Sequence, residues 1–243
     1  NMLAKNIAAI KIKKGNKKII KIFGKENLNS FNLKVPGDPS SAAFFTALTL
    51  LNKNSFLKIK NVGLNPTRIG FYELLKKYGA KINFKNIKKS NNEIYGDIYV
   101  ESCNIKPIKA TKEYYVKATD EYPILFIIAA LTPGVSIFKG IGDLVNKESN
   151  RIKEMQKILK QAGIKSVASK NEIKIYGKKF NKKIRRKINV PNLGDHRICM
   201  STFVLSLITG IKTKINNFET VYTSSPSFLK IIRSLGGKFE IKI

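Results

Sequence analysis

Two hydrophobic periods alternate along this chain, and the switch between them recurs in a fixed order. Residues 41–51, opened by Ser40 and Ser41, are apolar on nearly every face and predict an inner helix, whereas residues 56–62 read as a strand. Residues 70–78 carry apolar side chains at helical spacing opposite lysines, which predicts an amphipathic helix closed by Gly79. Strands are expected over 80–84 and 94–100. A second pass opens at Asp120, with an apolar helix over 122–131, a strand over 135–140, an amphipathic helix over 149–161 stopped by Gly163, and strands over 164–168 and 173–176. The third opens at Asp195, with a helix over 198–208, a strand over 212–218, a helix over 227–234, and a final strand over 238–243.

The amphipathic helices end in near copies: LLKKYGAKI at 74–82, ILKQAGIKS at 158–166 and IIRSLGGKF at 231–239. Each glycine can take the left-handed conformation that stops a helix and turns the chain into a strand. Recurrence at a spacing of about 75 to 85 residues marks one supersecondary unit used repeatedly. Layering then puts the apolar helix of each unit inside and the lysine-bearing helix outside, an α/β arrangement. Residues 1–35 read as the tail of a further unit, with a helix over 2–9, a strand over 10–13, a turn at Gly15-Asn16 and a strand over 18–23. They are expected to pack poorly or to expose Ile10, Ile12, Ile19 and Ile20. The predicted division is therefore 1–35 and 36–243.

Composition changes this picture little. Of 243 residues, 43% are hydrophobic, enough to bury a real core. Cys103 and Cys199 stand far apart without a CxxC pair, which argues for reduced thiols in a cytoplasmic protein and against zinc. The longest apolar run, 124–131, is far below the roughly 20 residues of a membrane span. The net charge of +30 suggests polyanions and keeps a lysine-rich nucleic-acid-binding protein as the competing reading. Against it, lysines outnumber arginines about forty to six, they are spread over every segment, and no helix-turn-helix, zinc-finger or RNP pattern is present. A solvated lysine surface accounts for the charge, and it also suits an enzyme with anionic substrates.

Short polar clusters precede the inner helices: VPGDPSSAAFF at 35–45, ATDEYPILF at 118–126 and LGDHRICMS at 193–201. Helix N-termini carry unpaired N–H groups and partial positive charge, so three of them converging would make an anion site. For Asp38, Ser40 and Ser41 plain capping is the better reading. Asp120 and Arg197 are different, because an arginine in a first turn opposes the helix dipole and capping does not explain it. Arg68, in NPTRIG, is placed in the same way. In VNKESNRI at 145–152, Lys147, Glu148 and Arg151 stand together, and three-residue spacing would put Glu148 and Arg151 on one helix face. A surface Glu–Arg pair is the bland alternative.

These clusters carry a resemblance. In order, VPGDPSSAAFF, NPTRIG, DEYPIL, Lys147-Glu148-Ser149-Asn150-Arg151, GDHRICMS and SSPSFLKIIRSLGGK resemble the carboxy-terminal half of the 5-enolpyruvylshikimate-3-phosphate synthase family from about Met2 onward. Enolpyruvyl transferases acting on UDP-sugars match DEYP, KES-x-R and GDHR less well. Asn150 stands where the family usually has Asp, and SSPSF replaces the commoner SFP.

The resemblance implies an enolpyruvyl transferase-like α/β domain of three repeated β/α folding units with buried parallel helices, an inside-out barrel. It implies transfer of the enolpyruvyl group of phosphoenolpyruvate to shikimate 3-phosphate, between two such domains, in a cytoplasmic protein that is monomeric when complete. By motif position Asp120 would take the proton of the substrate 5-hydroxyl, and Glu148 would protonate the methylene carbon and later remove that proton. Lys147 would lie against the reacting oxygens, and Arg151 and Arg197 would clamp phosphoenolpyruvate. No metal or organic cofactor is implied, nor a nucleic-acid or membrane partner. Motifs that the family carries in its amino-terminal half have no counterpart here, so the chain is expected to be a fragment or one part of a split protein. It is expected to be inactive without that half. An enolpyruvyl transferase with another acceptor remains the nearer alternative.

Overall fold

The structure, a computed structural model, describes residues 34–90, 92–180 and 186–242 with Asn32, and the backbone of strands at 9–14 and 17–22. Those strands, β1 (Ala9–Lys14) and β2 (Lys17–Ile22), pair antiparallel with Ala9 opposite Ile22. The helix expected over 2–9 lies outside the described residues except for Ala9, which opens β1. The side chains of Ile10, Ile12, Ile19 and Ile20 lie outside them as well.

The first unit runs through α1 (Pro39–Leu51), β3 (Phe56–Gly63), α2 (Gly70–Lys77), β4 (Lys81–Ser90) and β5 (Glu93–Glu101). The second has β6 (Lys109–Ala110), α3 (Lys112–Ala118), a 3-10 turn (Thr119–Glu121), α4 (Tyr122–Leu131), β7 (Gly134–Lys139), α5 (Arg151–Gln161), β8 (Lys165–Ala168) and β9 (Glu172–Gly177). The third has β10 (Lys187–Val190), α6 (His196–Thr209), β11 (Lys212–Ile215) and α7 (Phe228–Ser234). The repeat extends to sheet topology. Strand order β3-β5-β4 in one unit matches β7-β9-β8 in the next, with both neighbours antiparallel to the central strand.

A shared feature of the units is absent from the sequence reading. Before each inner helix the chain pairs parallel with the strand that follows that helix: Gly37 with Val62, β6 with β7, and β10 with β11. These leading strands are at most four residues long, too short for alternation to register. The strand expected over 238–243 is a correction. Residues 238–242 join no ladder among the described residues, and Phe239 packs against the ring of Phe203 at 5.4 Å.

The helix stops repeat down to individual hydrogen bonds. The amides of Ala80, Ile164 and Gly237 donate to the carbonyls of Leu75, Leu159 and Ile232, five residues earlier, at 3.0, 2.8 and 2.9 Å. Gly79, Gly163 and Gly236 have φ of +94°, +74° and +87°, as this closure requires.

Helices α1, α4 and α6 pack on one another at the centre, and nine of the ten residues of α4 are buried. Burying each large side chain of α4 contributes about 1.5–3 kcal/mol. Hydroxyls in or capping these helices bond back to the preceding turn: Thr49 to Phe45, Thr132 at the end of α4 to Ile128, and Thr202 to Ile198. That is how buried helices accommodate polar residues. No helix among the described residues is long and apolar enough to cross a membrane.

Candidate functional site

The inner helices bring their N-terminal ends together. Asp38 caps α1, its carboxylate accepting from the Ser41 amide at 2.8 Å, while Arg68 lies 3.5 Å from Asp38 and donates to the Ser40 hydroxyl at 3.0 Å. Asp195 caps α6, accepting from the amides of Arg197 and Ile198. Asp120 sits in the 3-10 turn ahead of α4. Its carboxylate lies 3.3 Å from Arg197, and its carbonyl accepts a bond from the same guanidinium.

Arg151 holds this end together. It is the first residue of α5 and fully buried, where the helix dipole and desolvation both disfavour a cation. Three carboxylates offset that cost. Arg151 Nε donates to Asp195 Oδ2 at 2.9 Å and Nη2 approaches Oδ1 at 3.4 Å. Nη2 also donates to Glu148, and Nη1 lies 3.8 Å from Asp120. Burial alone would raise the Asp195 pKa, but the bonds and charge of Arg151, with donation from Ser149 and the Ile198 amide, outweigh it and hold it below the usual range.

Four of the five sequence-derived candidates therefore meet: Asp120, Glu148, Arg151 and Arg197. Their local geometry needs one correction. Helix α5 begins at Arg151, not 149, because the Asn150 side chain caps it by accepting from the Lys153 amide at 3.0 Å. Glu148 thus reaches Arg151 from the preceding loop and not from a shared helix face. The fifth candidate, Lys147, pairs with Asp143 at 2.9 Å, and Tyr115 donates to the same carboxylate at 3.1 Å. Bonds from Lys147 and Tyr115 hold the Asp143 carboxyl below its ordinary value.

Both carboxylates assigned to proton transfer remain open to solvent, Asp120 at 40% and Glu148 at 43% side-chain exposure, on a buried cationic support. His196 Nδ1 lies 4.0 Å from Glu148. Burial, then the charge of Arg197, lowers the His196 pKa against the opposing pull of Glu148 and Asp195, which favours the neutral ring. Arg151 Nη1, His196 Nε2 and Glu121 Oε1 are buried without a hydrogen-bond partner in the protein. The sequence reading takes Asp195 only as a helix start, and Asp143, Ser149, His196 and Glu121 go unassigned. Among the described residues no cluster of His, Cys, Asp and Glu is suited to a metal. A groove of about 630 Å³ runs along α5 past Asn146, Asn150, Lys153 and Lys170, and none of the five candidates lines it.

Comparison with known proteins gives concordant findings. The sequence model described as EPSP synthase (3-phosphoshikimate 1-carboxyvinyltransferase) matches residues 1–232. The chain is 40% identical over 210 residues to a 3-phosphoshikimate 1-carboxyvinyltransferase of Petrotoga mobilis, covering 86% of this chain and 48% of that protein. Against the protein of the same name from Bacillus subtilis it is 33% identical over 219 residues, covering 90% of this chain and 50% of that one. It spans about half the length of the curated relatives it matches. An EPSP synthase structure from Acinetobacter baumannii superposes with a TM-score of 0.86 at 32% identity, over all of this chain and 55% of that one. The enolpyruvyl transferase NikO from Streptomyces tendae shares the fold, with a TM-score of 0.72 at 14% identity, over 96% of this chain and 51% of that one.

Proposed function

The chain belongs to the EPSP synthase family, and on that premise we propose that it forms one wall of a site that transfers enolpyruvyl from phosphoenolpyruvate to shikimate 3-phosphate. The observation that carries this reading is the buried Arg151 guanidinium, which gathers Asp120, Glu148 and Asp195 from three separate segments of the chain. A buried, fully compensated cation of this kind keeps two exposed carboxylates in fixed positions, as proton transfer requires.

In this reading Asp120 accepts the proton of the 5-hydroxyl as its oxygen bonds to the substituted vinyl carbon of phosphoenolpyruvate. Glu148 delivers a proton to the methylene carbon, which becomes a methyl group in a tetrahedral adduct. Glu148 then removes a proton from that methyl as the carbon–oxygen bond to phosphate breaks, which restores the double bond and releases phosphate. Arg197, whose side chain is 11% exposed and borders Asp120, clamps the anionic groups of phosphoenolpyruvate. Arg151 supplies Nη1, its nitrogen without a protein hydrogen bond, from beneath. Lys147, tied to Asp143, stands at the rim against the reacting oxygens.

We assign the opposite wall to the sequence that the relatives carry beyond this span, supplied by the same chain or by another. Fixing both reactants in near-attack geometry needs both walls. The test is phosphate release and product formation from the two substrates. Turnover is expected when the amino-terminal half of a relative is fused or added, and not from residues 1–243 by themselves. Robust turnover by residues 1–243 without that half, or none when it is supplied, would overturn the proposal.

A further inference from the structure

Glu121 has no part in the chemistry described above, yet it is placed where three elements meet. It is 3% exposed, in the 3-10 turn between Asp120 and α4. From α1 comes Ser40, fully buried, whose hydroxyl accepts from Arg68 at 3.0 Å and has its own proton free for the Glu121 carboxyl. The same element carries Asp38, 3.5 Å from Arg68. From α2 comes Tyr72, within electrostatic reach and with its hydroxyl committed to the Pro39 carbonyl at 2.6 Å. From α6 comes Arg197, which also pairs with Asp120. Glu121 Oε1 has no partner in the protein.

We propose that Glu121 is a positioning residue that takes up a proton when an oxyanion docks against Arg197 and Arg68, coupling anion binding at this end of the helices to protonation. The proposal rests on the reading of that end as a site for anionic substrates. An ionised, buried carboxylate is tolerated only while nearby cations compensate for lost hydration. Glu121 depends for this on Arg197, Arg68 and the Ser40 hydroxyl, and Asp120 works against it. An arriving oxyanion shares the field of the same guanidinium groups and repels Glu121. Protonation removes the repulsion, and the neutral carboxyl can donate a bond of its own. The coupling acts at neutral pH, because burial pushes the Glu121 pKa up to about 7. Burial and the charge of Arg197 hold the His196 pKa below the usual histidine value, which favours its neutral form.

Sulfate is the suitable probe, since its charge is constant across the relevant range. Calorimetric titration of the chain with sulfate between pH 6.5 and 8.5 should show affinity falling several-fold as pH rises, with heats that depend on the ionisation enthalpy of the buffer. In Glu121→Gln the affinity should stay at its low-pH level throughout, and the buffer dependence should vanish. Carbon-13 NMR of the Glu121 carboxyl in the unsubstituted chain gives an independent readout if that variant folds badly, with the titration midpoint expected to rise on adding sulfate. Absence of sulfate binding, pH-independent affinity, or a midpoint that sulfate does not move would overturn the inference. Enzymatic turnover alongside a silent Glu121 would sink this inference alone. A proton-coupled sulfate site without turnover would sink the synthase reading alone.

Discussion

Arg151 and Asp195 form a buried ion pair with both side chains at zero exposure, Nε 2.9 Å from Oδ2, and it joins the first residue of one helix to the cap of another. Removing one member of such a pair costs about 3–5 kcal/mol, because the survivor keeps its desolvation penalty without compensation. Glu148 and Asp120 would still face Arg151 in Asp195→Ala, but the substitution also deletes the cap of α6 and the acceptor of Ser149, so a loss of about 3–5 kcal/mol is expected. Asp195→Asn keeps a good cap and isolates the charge. Deleting the exposed partner Glu101, 3.7 Å from Lys81, should cost under about 1 kcal/mol. Denaturant melts of the three variants decide the matter, and an Asp195→Ala loss as small as that of Glu101→Ala would show the pair to be energetically idle.

Glu121 should leave its mark on the pH dependence of stability. Its folded pKa of about 7 lies above the ordinary glutamate value of 4.5, so the folded state binds its proton more tightly than the unfolded state does. Its contribution to stability is then fully present below about pH 4.5 and is lost as pH rises through 7, about 3 kcal/mol in all. Glu121→Gln lacks this titration. The melting temperature of the variant relative to the parent should rise steadily from pH 4.5 to 8, and a constant difference would contradict the burial argument.

Gly177 and Gly210 should resist replacement for different reasons. A Cβ on Gly177 would lie 2.0 Å from the Thr132 carbonyl oxygen and 2.1 Å from that of Ala129, so β9 would have to move away from the end of α4. Gly210, at φ +72°, has nothing within 4 Å of the same position, leaving only conformational strain. Thermal melts should show Gly177→Ala costing about 1–3 kcal/mol through overpacking of backbone, and Gly210→Ala about 1–2 kcal/mol through the left-handed conformation. Gly210→Asn should recover part of its loss, whereas Gly177→Asn should not.

Legibility in the sequence followed the range of the interaction. Helix α4 spans 122–131 as expected, since the apolar run 124–131 behind Tyr122-Pro123 has few other solutions, and the glycine stops recur because closure of a helix is local. Asp120, Glu148, Arg151 and Arg197 were reached through motif resemblance. That Asp195 is the counterion of Arg151 has no local signature, the two being 44 residues apart. Leading strands β6 and β10 are shorter than any alternation that could announce them. The strand expected over 238–243 shows the opposite failure. Residues 238–242 alternate well enough, but among the described residues they have no ladder partner.

The kinetic prediction separates the roles assigned to the site residues. Asp120 and Glu148 are exposed carboxylates proposed to act on protons in flight, so in the reconstituted enzyme Asp120→Asn and Glu148→Gln should lower kcat with little change in KM. Loss of a general acid or base costs on the order of 100- to 10,000-fold. Arg197 is proposed to bind instead of transferring a proton, so Arg197→Ala should act mainly by raising KM for phosphoenolpyruvate. That substitution also releases Asp120 from its 3.3 Å contact, so some loss in kcat is expected too. Arg197→Lys keeps the charge but not the planar fork and should recover the Asp120 contact better than the affinity. Steady-state kinetics on the four variants, each checked for folding by its melting curve, test the assignment. Near-normal kcat in Glu148→Gln would remove Glu148 from the proton path, and Arg197→Ala with an unaltered KM would remove Arg197 from the phosphoenolpyruvate site.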